Sequence, residues 1–242
     1  MRDEANHRIL GLIKPTDRPG SRTVDQLLRM LPPEVEVRQA HLDIRRGTHE
    51  ELEQALQDYE ARIADMAREG ADLIHPAGVP PLLLGYEGEK RRVGEWERKY
   101  GKPIFTNGMS QVNALRALGA KRIVGASYFS GEINRTFRAY LEEARFEVLE
   151  MEGMEVDFEH VMGLEPEAIR AFIGGLFRRH DAVDAIYLLG SAWPTLEMIE
   201  SLEQEFRVPV VHHVPCQYRE IQKRFGFRQP VQGCGRLVRE MP

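Results

Sequence analysis

The stretch NALRALGAKRIVGASYF, Asn113 to Phe129, decides the fold. Its first half completes a helical pattern that starts at Ser110 and ends at Leu118, with Gly119 as the closing residue. Its second half, Arg122 to Ser127, has the length and apolar content of a buried strand. A second helical pattern follows over Ile133 to Ala144, with Phe137, Tyr140 and Leu141 on its inward face. Helix, strand and helix joined by short breaks form the repeating unit of a parallel α/β sheet.

The same cycle extends toward both ends. Upstream, Arg8 to Lys14 (RILGLIK) reads as a buried strand, and Pro15 to Thr23 (PTDRPGSRT) as a loop. Val35 to Leu42 alternates as a second strand. Glu50 to Glu69 places Leu52, Leu56, Tyr59, Ile63 and Met66 on one helical face. Thr48 and Glu51 have the spacing of a capping box before that helix, and Gly70 follows it. Ala71 to Pro76 and Pro103 to Thr106 read as strands around a charged helical segment, Glu87 to Lys102. Its four acids and six bases are interspersed, so it reads as a solvated helix and not a nucleic-acid site. Downstream, the predicted strands are Phe146 to Met151, Ala185 to Leu189 and Val208 to Val211. The predicted helices are Pro166 to Arg179, Thr195 to Phe206 (led by Pro194) and Gln217 to Phe225.

Alternation of this kind predicts parallel sheets covered by helices on both faces. Such sheets hold ligands at the carboxyl ends of their strands. The candidates are therefore Pro15 and Thr16, His75 to Pro80, Thr106 and Asn107, Ser127 and Tyr128, Gly190 and Ser191, and His212 and His213. No strand is followed by a GxGxxG or P-loop pattern, which argues against a nucleotide cofactor.

With 242 residues, the chain has room for one large α/β domain or two lobes. Apolar residues at 42% and charged residues at 29% are ordinary for a globular chain and argue against disorder. A net charge of −5 gives a nucleic-acid partner no electrostatic support. The apolar run near the N-terminus is too short for a signal peptide or membrane anchor, so no membrane partner is expected. Cys216 and Cys234 are too few for a disulfide scaffold and lack metal-ligand spacing. A reducing cytoplasm is the expected compartment.

Taken in order, GLIKP (Gly11 to Pro15), ADLIHPAG (Ala71 to Gly78), NALRALGAKRIVGASYF, DAIYLLGSAWPTLEMI (Asp184 to Ile199), VPVVHH (Val208 to His213) and GCGRL (Gly233 to Leu237) are similar to one superfamily. The chain resembles the aspartate/glutamate racemase superfamily, and within it the arylmalonate decarboxylases and maleate cis-trans isomerases. The most specific piece is Arg116 to Tyr128. The resemblance implies two similar Rossmann-like lobes with parallel sheets and an active-site cleft between them. One lobe would be residues 1–109 with 212–242, the other 110–211. It also implies catalytic cysteines after the third strand, after a strand of the second lobe, or at both places. Here those positions fall on Gly78 and Gly190. Val79 and Pro80 stand where hydroxyl residues usually help bind a carboxylate. Tyr128 matches the carboxylate-binding tyrosine, and Ser191 offers a backbone N–H and a hydroxyl.

Without those thiols, two-base racemisation and thiolate addition lose their usual groups. The remaining candidates are weighed by chemistry. Histidine is the commonest general acid/base, so His212 and His213, at a strand end, are candidate acids, as is Cys216 beyond them. The bland alternative for both histidines is a ring hydrogen-bonded into a loop, and for Cys216 and Cys234 a small buried hydrophobe. His75 and His41 read as core or supporting histidines. Arg18, Arg22, Arg45 and Arg46 are either carboxylate forks or solvated loop residues. Trp193 either walls the pocket or packs under a helix. No HxH or HExxH spacing supports a metal.

The expectation is a cofactor-independent enzyme acting on a small mono- or dicarboxylate, of decarboxylase (lyase) or isomerase type. Tyr128, His213, His212 and Cys216 are the candidate catalytic residues. Pro15, Thr16, Gly78, Val79, Asn107, Ser127, Gly190, Ser191 and Trp193 are the candidate substrate contacts. Two alternatives stand beside it. One is a carboxylate-binding or regulatory member that has lost catalysis, and the other is a metal-assisted hydrolase. Assembly into a homo-oligomer is compatible with the sequence.

Overall fold

The computed structural model describes residues 7–16, 23–42, 44 and 49–240. Two parallel sheets organise them. In the first, β1 (Arg8–Lys14) lies between β2 (Val35–His41) and β3 (Leu73–Pro76). In the second, β4 (Arg122–Ser127) pairs with β5 (Glu147–Gly153) on one side and β6 (Ala185–Leu189) on the other. β7 (Val210–His212) extends that sheet beside β6. Every pairing is parallel, as the alternating sequence requires.

Helices α1 (Thr23–Met30), α2 (His49–Arg68) and α3 (Pro80–Tyr100) accompany the first sheet. The second sheet is accompanied by α4 (Asn107–Ala117), α5 (Gly131–Glu143), the short α6 (Phe158–Val161), α7 (Pro166–Phe177) and α8 (Ile199–Phe206). The chain ends with α9 (His213–Phe225) and α10 (Arg236–Glu240). Tyr59, Ile63 and Met66 of α2 are buried against Ile13 and Ile74, as their spacing predicts. Thr48, the proposed cap of that helix, lies outside the described residues, as do Arg18, Arg22, Arg45 and Arg46.

Three elements differ from the sequence reading in ways that matter to the site. Pro103 to Thr106 is not a strand. It makes one bridge, Ile74 with Ile104, after which the Thr106 hydroxyl accepts from Met109 N at 3.2 Å and starts α4 at Asn107. The last long helix begins at His213, four residues before the expected Gln217. His212 caps it by accepting from Val214 N at 3.3 Å, and Pro215 falls in the first turn, where a missing N–H costs nothing. His213 and Cys216 therefore sit on a buried helix, not in a loop. The helical segment Glu87 to Lys102 is not solvated all round either. Glu89, Val93 and Trp96 are buried.

Loops that follow β1 and β6 touch. The hydroxyl of Thr23, opening α1, donates to the Ser191 carbonyl beyond β6 at 3.3 Å. α9 packs between α4 and α1, and ten consecutive residues from His213 to Gln222 are buried. Tyr140 and Glu143 of α5 reach α3.

Candidate active site

Three neighbouring strands of the second sheet end in candidate residues. β4 runs into Tyr128, β6 into Gly190, and β7 into His213. The Tyr128 side chain is buried, with its ring 4.2 Å from Phe129 and 6.1 Å from Trp193, centroid to centroid. Gly190 has φ +114°, a conformation side chains rarely adopt. A Cβ placed on Gly190 would stand 2.2 Å from Tyr128 Cε1, so the ring occupies the side-chain space of position 190. Trp193 is buried beside it, and Ser191 is exposed.

The first sheet repeats this pattern. Gly78 has φ +92°, and a Cβ there would lie 3.0 Å from Pro15 Cγ at the end of β1. Gly78 N donates to Asn107 Oδ1 at 3.3 Å, and the same amide side chain also hydrogen-bonds His75. The buried Tyr59 hydroxyl of α2 donates to the Ala77 carbonyl, pinning the same loop. Thr16 is half-buried and Val79 buried.

The structure thus gathers Pro15, Gly78 and Asn107 in one group and Tyr128, Gly190 and Trp193 in another. Thr23 and Ser191 link the loops that carry them. Ser127 is placed differently. Its hydroxyl donates to Asn134 Oδ1 at 2.6 Å and accepts from Phe129 N at 3.0 Å inside the β4–α5 junction. A depression of about 260 Å³ opens beside Tyr128, walled by Phe129, Ser130, Glu155, Val156 and Asp157.

The candidate acids lie in the interior. His212, His213 and Cys216 are all buried, and the two imidazole rings are 4.1 Å apart. His75 joins them from β3, stacked on Phe105 at 4.2 Å, with Nδ1–H donating to the Phe105 carbonyl at 2.8 Å. Burial pushes His75 down to about 4 despite that bond. Burial, with His75 nearby, pushes His213 down to about 3. His212 is also held well below the usual range by burial and by His213. These histidines are neutral at neutral pH, so none offers a readily released proton. Burial also pushes the Cys216 thiol up, away from the thiolate. Cys234 is half-buried, and its thiol is shifted the same way by burial. Among the described residues, no group of three or more His, Cys, Asp or Glu side chains is placed to hold a metal ion.

These shifts predict how stability depends on pH. The folded histidines resist protonation, while unfolded ones take protons below about 6.5. Stability is therefore fully present above about pH 6.5 and falls as pH drops toward 4. His75 alone contributes on the order of 3 kcal/mol across that window. Glu89 acts oppositely. Burial raises it from 4.5 to about 7, against hydrogen bonds from Tyr140 and Thr106, so it costs stability as pH rises over that span. Glu203, also raised by burial, acts with Glu89, and the three lowered histidines outweigh the pair. Urea unfolding should give a midpoint that falls steadily from pH 6.5 to 4.5, with a shallower slope in His213→Asn. A flat profile would contradict the neutral-histidine assignment.

The sequence reading missed Tyr59, Glu89 and Tyr140 as polar groups. Tyr140 donates to the buried Glu89 carboxylate. A signal for Glu89 was present. Tyr86, Glu89, Val93 and Trp96 recur at steps of three, four and three, which puts Glu89 on the buried stripe of α3.

Known proteins place this architecture. Residues 10–238 match the arylmalonate decarboxylase family. The maleate isomerase of Nocardia farcinica (strain IFM 10152) is 25% identical over 189 residues, covering 74% of this chain and 73% of that protein. The N. farcinica maleate cis-trans isomerase, solved with a covalently bound succinylcysteine intermediate, superposes with a TM-score of 0.82 at 22% identity. That match covers 96% of this chain and 98% of the isomerase. Arylmalonate decarboxylase itself superposes with a TM-score of 0.80 at 20% identity, covering 96% of this chain and 99% of that one. Among the described residues no helix is long and apolar enough to cross a membrane. With the family matched from β1 to α10 and the strands arranged in two parallel sheets, the chain belongs to the arylmalonate decarboxylase family.

Proposed function

We propose that this protein is a cofactor-independent enzyme that removes CO2 from a small malonate-type carboxylate without a thiol. The substrate would lie between a first lobe, residues 1–109 with 212–242, and a second, residues 110–211. The observation that carries the reading is the packing at Gly190, where the Tyr128 ring fills the space a cysteine side chain would need. Pro15 crowds Gly78 more mildly, with a Cβ there 3.0 Å from its Cγ. The related isomerase carries a succinylcysteine intermediate in its solved form. Cys216 and Cys234, both with thiols shifted up by burial, are poor substitutes for such a nucleophile.

Decarboxylation asks less of the site than isomerisation. The C–COO⁻ bond breaks, CO2 leaves with its carbon, and the bonding electron pair becomes an enolate. An enolate oxygen needs a hydrogen-bond donor, which Tyr128 supplies, aided by the Asn107 NH2 and the backbone N–H of Ser191. The enolate carbon then takes a proton from solvent admitted through the depression beside Tyr128. His212 and His213, neutral in the interior, serve this reaction better as polar support than as acids.

The same packing favours a second reading. A cleft whose second glycine position is filled by the Tyr128 ring suits a carboxylate binder that no longer turns over. Phenylmalonate, malonate and maleate separate the two. The enzyme reading expects CO2 from a malonate. The binder reading expects a raised melting temperature with no product. Neither effect with any of the three would overturn both.

A further inference from the structure

The connection between α3 and α5 bears on where the Gly78 loop stands. α3 is not one straight helix. Gly85 has φ 63° and ψ 176°, which breaks the regular backbone and separates a first piece, Pro80 to Leu84, from the rest. That first piece follows directly from Gly78 and Val79. A break in a helix frees backbone groups that need other partners. Here the freed Tyr86 N–H donates to Glu143 Oε2 of α5 at 2.7 Å. The fit is close, because a Cβ on Gly85 would lie 2.8 Å from the same carboxylate oxygen.

Two further contacts fix α3 just beyond the break. The Arg116 guanidinium of α4 donates to the Tyr86 hydroxyl at 2.7 Å and to the Ala144 carbonyl at 3.1 Å. One turn along α3, the buried Glu89 carboxylate accepts from the Tyr140 hydroxyl. Thr106 also reaches Glu89, and Thr106 caps the helix whose first residue, Asn107, holds Gly78 N. One end of the Pro80–Leu84 piece is thus tied to α5 and the other to the Gly78 loop.

We propose that Glu143 is a positioning residue: its carboxylate, seated in the Gly85 break, holds the Gly78–Leu84 segment at a fixed place relative to the second sheet and so sets the cleft that receives the substrate. The cleft half of this statement rests on the proposed function, and the clamp half does not. Glu143 is an exposed residue that makes no contact with the reacting groups, so its replacement leaves the Tyr128 and Gly190 packing in place.

The test is hydrogen–deuterium exchange of the full chain, with phenylmalonate turnover measured on the same samples. In Glu143→Ala, the amides of Val79 and of residues 82–86 should exchange at least about 10-fold faster, while those of β4 and β6 keep their rates. KM for phenylmalonate should rise about 10-fold with kcat within about threefold of the parent. Glu143→Gln, which keeps an acceptor oxygen, should restore both values. If Glu143→Ala does not fold, Glu143→Asp, one methylene short of the break, is read in the same way. Unchanged exchange at Val79 and residues 82–86 would overturn the clamp, as would faster exchange spread evenly over α5 and the second sheet. Localised exchange with an unchanged KM would overturn the control of the cleft alone. If the parent protein does not turn over phenylmalonate, that failure belongs to the functional reading, and exchange still decides the clamp.

Discussion

Tyr128→Phe should lower turnover of the malonate substrate by at least about 100-fold and leave the melting temperature nearly unchanged. The hydroxyl is the only group removed. The ring, which packs on Phe129, Trp193 and Gly190, stays. A donor aimed at a developing oxyanion is worth about 3–4 kcal/mol, and the fall should appear mainly in kcat, because the enolate charge exists only after the bond breaks. A pure binder would respond differently. Its affinity for the carboxylate would weaken by about 1–3 kcal/mol, with no turnover to lose. A tyrosine that only braces the fold would lower the melting temperature and leave function intact, and that result would remove Tyr128 from the site.

Gly190→Cys should destabilise the protein and confer no thiol-dependent activity. Two costs combine at this position. A side chain at φ +114° is strained, and its Cβ meets the Tyr128 ring at 2.2 Å. Together they amount to about 2–6 kcal/mol, or a fall in melting temperature of at least about 5 °C. Gly190→Ala should fall by a similar amount, since the obstacle is the Cβ and not the sulfur. Adding Tyr128→Ala should return part of the loss as a coupling between the two sites. A Gly190→Cys protein with parental stability and iodoacetamide-sensitive turnover would contradict the account of the packing.

Much of the architecture was legible in the residues. Strands such as Arg122–Ser127 and Ala185–Leu189 show because both faces are buried, which leaves short apolar runs between turn residues. Ends of elements were harder. The last long helix is expected from Gln217, and only the folded chain shows that it starts at His213, with Pro215 in a first turn capped by His212. This error placed His213 and Cys216 in a loop and made them look more accessible than they are. Glu89 was hidden for another reason. The dense mixed charge across Glu87 to Lys102 suggests solvent, whereas the spacing with Tyr86, Val93 and Trp96 places it inside.

The candidate site residues follow expected strand ends. Asn107 instead opens α4 after a segment that is not a strand. The roles of the candidates were not legible. Ser127 and Tyr128 are neighbours in sequence, yet one hydroxyl is spent on Asn134 and Phe129 while the other side chain covers Gly190. Contacts such as Pro15 on Gly78 join segments distant in the chain, and no local pattern encodes them.

The most direct test of the central claim, carboxylate chemistry without a thiol, is CO2 release from phenylmalonate by the Cys216→Ser/Cys234→Ser protein, which has no cysteine left. The account predicts kcat/KM within about threefold of the parent, a difference under about 0.7 kcal/mol of transition-state stabilisation. A loss of more than about 100-fold, about 2.7 kcal/mol, in a protein that remains folded would contradict it. That result would make a buried cysteine thiol the source of the proton.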